Sequence, residues 1–189
     1  YYLMGQINLS RIWNPKTAKE NFSQVKKEYN RSEYGPIADS KIKAIEGYSE
    51  SLNSLKIYES VSLDTMVADT AINDSIKKKN PEPSKTYEEL LYHLGDLEAF
   101  SFDRLDTGIV FFKKILSNDS TSKFYPKALF TLSLIYSDIG DTIESSKYKN
   151  ILQSKFPKSD YTSYIFKEDN FNNEKRPIEL LFLKAENLW

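Results

Sequence analysis

Cysteine is absent from this chain of 189 residues, and histidine occurs only once. Without cysteine there are no disulfide bonds and no thiolate metal sites, in an oxidising compartment or in the cytosol alike. Glycine and proline are also scarce, at six and seven residues. Because a sheet protein needs a turn residue every few positions, this scarcity favours long helices. No apolar stretch approaches the roughly 18 residues of a membrane span.

An excess of charge of one sign is lacking too, since 26 basic residues stand against 27 acidic ones and the formal net charge is −1. This balance gives no electrostatic footprint for nucleic acid or for an anionic membrane. The one basic run, Lys77 to Lys79, is interpreted as a solvated helix end. Large aromatic side chains, by contrast, are abundant: they make up 14% of the chain and are mostly Tyr and Phe.

The most informative feature of the sequence is an internal repeat at an offset of 90 positions. Identical residue types meet at this offset in several pairs: Gly5 and Gly95, Thr17 and Thr107, Phe22 and Phe112, Pro36 and Pro126, Ala38 and Ala128. A shorter period of 37 positions separates Ser122 from Ser159. Periods of 34 to about 45 residues are typical of two-helix solenoid units. The 90-residue unit is therefore interpreted as two helical hairpins with an inserted linker.

Apolar side chains recur every three to four positions within each unit, which predicts helices with one buried stripe. Pro15 suits a first helical turn, Gly140 suits a left-handed helix end, and Pro157 stops a helix. Asp106 is expected to cap a helix N-terminus. The predicted helices are Tyr2 to Ile12, Pro15 to Tyr29, Pro36 to about Leu55, a pair after Tyr87, Pro126 to Gly140, Ile143 to Phe156 and a last one from Pro177.

We therefore expect an all-α protein of about seven to eight helices. Helices of the repeat occupy 1–55, a linker or irregular helix 56–86, two hairpins 87–166, and a loop with the first helix of a further repeat 167–189. The chain opens with Tyr1 instead of a methionine, and Leu180 to Trp189 is an apolar helical pattern without a stop signal. Both observations lead us to expect a segment of a longer chain.

Residues from Ala128 to Pro157 resemble the tetratricopeptide repeat (TPR). Leu132 and Ser133 stand at the Leu-Gly pair of the family's first helix, and Tyr136 stands at its aromatic position. Ser145 takes the small position of the second helix, while Lys149 departs from the pattern because an aromatic is usual there. The resemblance covers about two thirds of the chain and is weakest from Lys56 to Lys85.

The resemblance implies an α-α superhelix of antiparallel hairpins. In such a fold, the small residues Gly5, Gly95, Ser133 and Ala18 let the two helices of a hairpin approach closely. Aromatic residues at Phe22, Phe112 and Tyr136 then fill the space between successive hairpins. The endings Phe156 to Tyr161 and Ser32 to Pro36 resemble the TolA-binding and outer-membrane assembly lipoprotein subclass of bacterial envelope TPR proteins. A periplasmic or outer-membrane-associated location is what this similarity implies, with the cytoplasm as the alternative.

The expected function is that of a non-catalytic scaffold that binds other proteins, either an extended peptide or a partner helix, on the concave face of the repeat. No cofactor is expected. The alternative is a structural spacer subunit of a larger complex without a discrete groove. By resemblance, the residues that face the partner lie on the first helices: Tyr2, Gln6, Ser10, Glu89, Tyr92, Asp96, Phe100, Lys127, Phe130, Leu134 and Asp138.

Three features of the sequence could indicate catalytic or metal-binding chemistry, and each has a simpler structural interpretation. Glu89, His93 and Asp96 share a helix face, but a metal site would need further ligands and no second histidine exists, so a polar helix face is favoured. Paired carboxylates in the acidic stretch from Glu88 to Asp106 could perform glycoside hydrolysis. Helical enzymes of that kind need far more chain, so the stretch is interpreted as a solvated face, with the steering of a basic partner as the second choice. The triplet Asp106-Thr107-Gly108 matches an aspartic-protease core, yet that family needs a β-rich loop, and a helix start explains the triplet better.

Overall fold

The computed structural model describes residues 1–28, 31–67 and 85–168, and the regular structure within them is entirely helical. Two π-helical segments, Asn8–Ile12 and Leu97–Ser101, extend α1 and α4. The predicted all-α class and helix number are confirmed in this part of the chain, whereas the helix predicted from Pro177 lies outside it. The eight α-helices are α1 (Tyr2–Ile7), α2 (Pro15–Glu28), α3 (Tyr34–Val67), α4 (Tyr87–Asp96), α5 (Leu105–Leu116), α6 (Phe124–Asp138), α7 (Thr142–Lys155) and α8 (Asp160–Glu168).

The backbone repeats at the same offset of 90 positions as the sequence. Both π-helical segments are followed by a left-handed residue, Trp13 with φ 57° and Asp103 with φ 59°. This conformation is costly for any residue with a side chain, so its recurrence indicates a shared connection geometry. Helix starts recur at the same offset, in the pairs Pro15 with Leu105 and Tyr34 with Phe124.

The chain divides into two compact units, Tyr1–Phe111 and Phe112–Trp189, with the division inside α5. In the first unit, α1 packs on α2, α2 on α3 and α3 on α4. In the second, α6 packs on α7, and α8 contacts both. Helix α3 continues to Val67, into the first part of the range 56–86 that was predicted to be a linker or irregular helix. Residues 68–84 of that range lie outside the described part.

A missing side chain allows α1 and α2 to pack closely in the first unit. A Cβ atom on Gly5 would lie 2.6 Å from Cε1 of Phe22, and both residues are buried. Phe22 therefore fills the space beside Gly5 within one pair of helices. The ring occupies the volume that the glycine leaves open, and it belongs to the same buried cluster as Ala38 and Ile45 of α3, so its predicted place between successive hairpins stays a prediction.

Helices α6 and α7 form a hairpin around a small-residue contact. The Ser145 hydroxyl donates a 2.8 Å hydrogen bond to the carbonyl of Ser133, and both serines are buried. Beside them the rings of Tyr136 and Tyr148 stack at 5.7 Å, so Tyr148 takes the place of the aromatic that Lys149 lacks. Tyr136 thus packs against Tyr148 inside its own hairpin, and its predicted place between successive hairpins stays a prediction.

Helix ends follow the predicted turn residues except at α5. Gly140 adopts φ +82°, and Asp141 caps α7 by accepting a 3.0 Å hydrogen bond from the amide of Glu144. Asp106, however, lies inside the first turn of α5, which begins at Leu105. The predicted N-cap role of Asp106 was therefore wrong. Its carboxylate instead faces the positive end of the helix dipole from within the first turn.

Candidate interaction surface

The residues predicted to face a partner divide into three groups by burial. Tyr92, Phe130 and Leu134 are buried, which corrects their assignment to an open surface. Asp138 is exposed. The other seven are half-buried, a state that leaves part of each side chain in contact with solvent: Tyr2, Gln6 and Ser10 on α1 and its extension, Glu89, Asp96 and Phe100 on α4 and its extension, and Lys127 on α6.

The burial of Phe130 has a specific cause in the second unit. The ring of Phe130 lies 5.3 Å from that of Tyr161 and 5.6 Å from that of Tyr164, centroid to centroid. Both tyrosines belong to α8, which therefore covers this stretch of α6. Aromatic pairs at such distances are part of a packed core. Phe130 thus stabilises the second unit and presents no surface to a partner.

Tyr2 is also engaged by aromatic neighbours, in the first unit. Its ring lies 4.8 Å from the ring of Tyr34 and 5.8 Å from that of Phe22. Gln6 and Asp96, by contrast, occupy matching positions of the repeat and are half-buried in both copies. Ser10 donates its hydroxyl hydrogen to the carbonyl of Gln6 at 2.9 Å. The row of residues available for contact is therefore shorter than predicted, and Gln6, Ser10, Asp96 and Phe100 are its half-buried members on α1, α4 and their extensions.

Glu98 is the residue that the sequence misassigned most clearly. Its predicted place was a solvated acidic face, yet it is only 1% exposed. One carboxylate oxygen accepts a hydrogen bond from the Tyr48 hydroxyl and the other from Nε of Arg104, both at 2.8 Å. A buried carboxylate is tolerated when both oxygens are satisfied in this way. Arg104 is the one Lys or Arg within the acidic stretch. Its presence is the sequence signal that one carboxylate of the stretch could form a buried pair with it.

Aromatic rings complete this cluster in the first unit. The guanidinium of Arg104 stands 3.7 Å above the ring of Trp13, within cation–π range. The rings of Trp13, Tyr48 and Phe102 lie 5.4 to 5.7 Å apart, pair by pair. Because Trp13 lies in the left-handed connection after α1, the cluster joins the end of α1 to α3 and to the end of α4.

Burial shifts the titration of the paired groups. It raises the pKa of Glu98, while the hydrogen bond from Tyr48 and the charge of Arg104 oppose that rise. It also raises the pKa of Tyr48 far above its ordinary value, and the hydrogen bond to Glu98 adds to this rise. Both shifts follow from removing charged forms from water. The cluster is a neutralised structural contact whose donors and acceptors are all engaged.

His93 belongs to α4, and its side chain contacts α3. Its Nδ1 is 2.9 Å from the hydroxyl oxygen of Ser51, so the two side chains are hydrogen-bonded. Burial lowers the pKa of His93, and the nearby charge of Lys85 lowers it further, while Glu89 opposes both. Among the described residues, no three histidine or carboxylate side chains converge as metal ligands. The ring of His93 therefore serves the packing of α3 on α4.

One surface of α1 and its π-helical extension exposes large apolar side chains, and we call it the α1 apolar face: Leu3, Met4, Ile7 and Ile12. Leu3 is 73% exposed and Ile12 62%. At the matching positions of the repeat, Leu94, Leu97 and Phe102 are buried. Exposed apolar surface of this kind indicates a site at which another segment or another protein can pack.

Comparisons with protein-family models, with curated proteins and with solved structures found no match. No described helix is long and apolar enough to cross a membrane. The function therefore has to be inferred from the packing and the surfaces of the chain itself.

Proposed function

We propose that this chain is a non-catalytic protein-interaction scaffold of the tetratricopeptide type. It binds a partner protein, as an extended peptide or a helix, along the first helices of its hairpins. The observation that carries the proposal is the reuse of one helix arrangement with different accessible side chains. Gln6 and Ser10 in the first copy are replaced by Asp96 and Phe100 in the second, at half-buried positions in both. Repeat scaffolds vary their surfaces in this way on a constant frame.

The α6–α7 hairpin supports the tetratricopeptide assignment. Ser133 and Ser145 meet where the family places its two small residues, and Tyr136 is packed at the family's aromatic position. Pro157 follows directly after the end of α7, as expected from the closing proline of the repeat. Small residues at a helix crossing are needed for close approach, so the match concerns packing as well as sequence.

The environment of the ionisable groups supports a binding function over catalysis. The two oxygens of Glu98 accept hydrogen bonds from Tyr48 and Arg104, and His93 is bonded to Ser51. A general acid or base has to reach a substrate from its site. Both oxygens of Glu98 and the Nδ1 atom of His93 are thus engaged in hydrogen bonds within the fold.

A bacterial cell-envelope location is part of the proposal and rests on the resemblance of the repeat endings. Fractionation of the native host with an antibody to the chain tests it. We expect the chain in the periplasmic or outer-membrane fraction, and recovery in the cytoplasmic fraction alone would refute this part.

The burial of Tyr92, Phe130 and Leu134 favours the second candidate, a structural spacer subunit. With these side chains in the interior, much of the predicted groove on α6 is closed. A spacer would hold its neighbours through other surfaces and would not depend on the accessible row on α1 and α4.

A capture experiment distinguishes the two. The chain is used as bait in an extract of the native host, and bound proteins are quantified by mass spectrometry. The variant Gln6→Lys/Asp96→Lys should capture about tenfold less partner, since interface residues of this kind contribute on the order of 1 kcal/mol or more each. Glu20→Lys, an exposed change on α2, is the matched control and should bind normally. Undiminished capture by a folded double variant would reject the scaffold in favour of the spacer.

A further inference from the structure

Helix α3 covers the face of α4 that matches the α1 apolar face. Ser51 of α3 bonds His93, Tyr48 bonds Glu98, and the Lys41 ammonium donates to the carbonyl of Ser101. Leu97 and Phe102 belong to the same buried cluster as Ile45 of α3. In this part of the chain, α4 is thus complete only with a long helix laid against it.

The matching face of α1 has no such helix among the described residues. At equivalent positions, Leu97 is 8% exposed and Ile7 48%, and Phe102 is 2% exposed whereas Ile12 is 62%. The opposite face is alike in both copies: Gly5 and Gly95 are both buried. Because Gly5 and Gly95 are buried alike while Ile7 and Ile12 are exposed where Leu97 and Phe102 are buried, the α1 apolar face is where the described residues place no helix in the position of α3.

The side chains on the α1 apolar face specify what that helix carries. Leu3 stands in the place of His93, so an aliphatic residue suits the position that Ser51 holds in α3. Arg11 stands in the place of Ser101, and an ammonium in the position of Lys41 would be repelled. The first acidic residue of the sequence is Glu20, so nothing on α1 neutralises Arg11 from the same helix. A carboxylate on the incoming helix complements this surface.

We propose that the α1 apolar face docks an amphipathic helix of a partner protein, packed as α3 packs on α4. That helix carries a carboxylate, an aromatic residue seven positions on and an aliphatic residue ten positions on, as Lys41, Tyr48 and Ser51 are spaced in α3. Residues at this spacing lie on one helix face. The inference goes beyond the proposed function, since it rests on a different set of side chains, Leu3, Ile7 and Arg11, and on a different mode of docking.

The short length of α6 favours a partner helix over a second copy of the chain as the occupant of this face. Helix α6 starts at the position equivalent to the start of α3, but it ends at Asp138, which matches Tyr48. It therefore has no helical turn equivalent to the one that places Ser51. Helix α3 itself is packed between α2 and α4. The described part of a second copy thus offers no free helix with the required pattern.

The probe is a fluorescent peptide with the sequence of residues 34–60, the part of α3 that contacts α4, and binding to the full chain is measured by anisotropy. A version with Lys41→Glu and Ser51→Leu should bind at least about fivefold tighter than the unmodified peptide. Two further peptides differ only in carrying Lys or Glu at position 41. Wild-type protein should bind the Glu peptide more tightly, and the protein variant Arg11→Glu should bind the Lys peptide more tightly. Leu3→Asp/Ile7→Asp should weaken binding of the modified peptide at least about tenfold.

Controls separate this surface from others. Ile143→Asp changes an exposed apolar residue of α7 and should leave peptide binding unchanged. Asp96→Lys alone, on α4, belongs to the row of the proposed function and should also bind the peptide normally, so failure of the proposed function and failure of this inference are distinguishable. Circular dichroism verifies that each variant is folded, with Leu3→Ser/Ile7→Ser as the milder replacement.

Three results would overturn the inference. The first is equal affinity of folded wild type and Leu3 variants for the modified peptide, or no binding at all. The second is a preference at position 41 that Arg11→Glu does not change. The third is a dimer of the chain alone, seen by sedimentation equilibrium and lost in Leu3→Asp/Ile7→Asp, because the occupant would then be a second copy.

Discussion

At the scale of single residues, ionisable side chains in the interior of the first unit connect three helical segments. Glu98 receives hydrogen bonds from Tyr48 of α3 and from Arg104, which also stacks on Trp13. Breaking a buried pair by removing one partner is costly because the other is left buried and uncompensated. The free energy of unfolding should therefore depend strongly on these few side chains.

Removing the carboxylate of Glu98 tests this. We expect Glu98→Ala to lower the free energy of unfolding by about 3 kcal/mol, since Arg104 and Tyr48 lose their acceptor. Urea denaturation measures the change. Glu20→Ala, an exposed carboxylate on α2, is the matched control and should stay within about 0.5 kcal/mol of wild type. Equal effects of the two substitutions would contradict the role of Glu98.

His93 makes stability depend on pH. Its pKa in the folded chain is lowered from the ordinary value of 6.5, chiefly by burial. Just below pH 6.5 the unfolded chain therefore binds more protons, and stability rises with pH through this window. Wild type should have a larger free energy of unfolding at pH 7.5 than at pH 5.5.

The chain has one histidine, so one variant isolates this contribution. In His93→Gln the difference in unfolding free energy between the two pH values should shrink, while a hydrogen bond to Ser51 stays available. Urea titrations at both pH values measure it. An unchanged difference would assign the pH dependence to other groups.

At the scale of helices, close approach depends on positions without a side chain. The Cβ of Gly5→Ala would come within 2.6 Å of the Phe22 ring, which is buried and has little room to move. We expect a loss of about 1–3 kcal/mol in unfolding free energy from overpacking. Gly35 in the first turn of α3 is the matched control, because a Cβ there meets nothing within 4 Å.

Gly35→Ala should leave stability unchanged or raise it by up to about 1 kcal/mol, since alanine restricts the unfolded chain and favours helix. Thermal melts of both variants followed by circular dichroism provide the comparison. If both glycines respond alike, the α1–α2 contact does not depend on the missing Cβ atom.

At the scale of the whole molecule, the recurrence of helix starts and of left-handed residues at one offset shows a duplicated helix module. Asp103 lies two residues after the end of the second π-helical segment, has φ 59° and is exposed. We expect Asp103→Val to cost about 1–2 kcal/mol, because a β-branched residue is strained there, and Asp103→Gly to be tolerated. Chemical denaturation compares them, and equal stability of the two variants would contradict the strained connection.

Much of the fold was predictable from local signals. Pro15, Gly140 and Pro157 mark helix ends through backbone restrictions that act wherever the residue stands. Phe22 is buried as the helical stripe predicted, and Ser145, placed at a small position by the family resemblance, is buried too. The length of α3 was missed, because its continuation past Leu55 lacks a clear stripe and is held in place partly by Tyr58, whose hydroxyl donates to the carbonyl of Lys85.

The candidate surface was less predictable, since exposure depends on what another segment covers. Phe130 has the spacing of a surface residue, but α8 lies over it. Glu98 has the composition of a solvated face, but Tyr48 and Arg104 enclose it. Ile7 and Leu97 are chemically similar at matching positions, and only packing makes one exposed and the other buried.

The sequence by itself determined the helical class, the offset of the repeat and the turns, because periodicity, glycine and proline act over a few residues. Only the tertiary structure decided which faces are covered. Burial is a property of pairs of segments far apart in the chain, and the partner of a given stripe, as α3 is for α4, is chosen by complementary shape and charge between them.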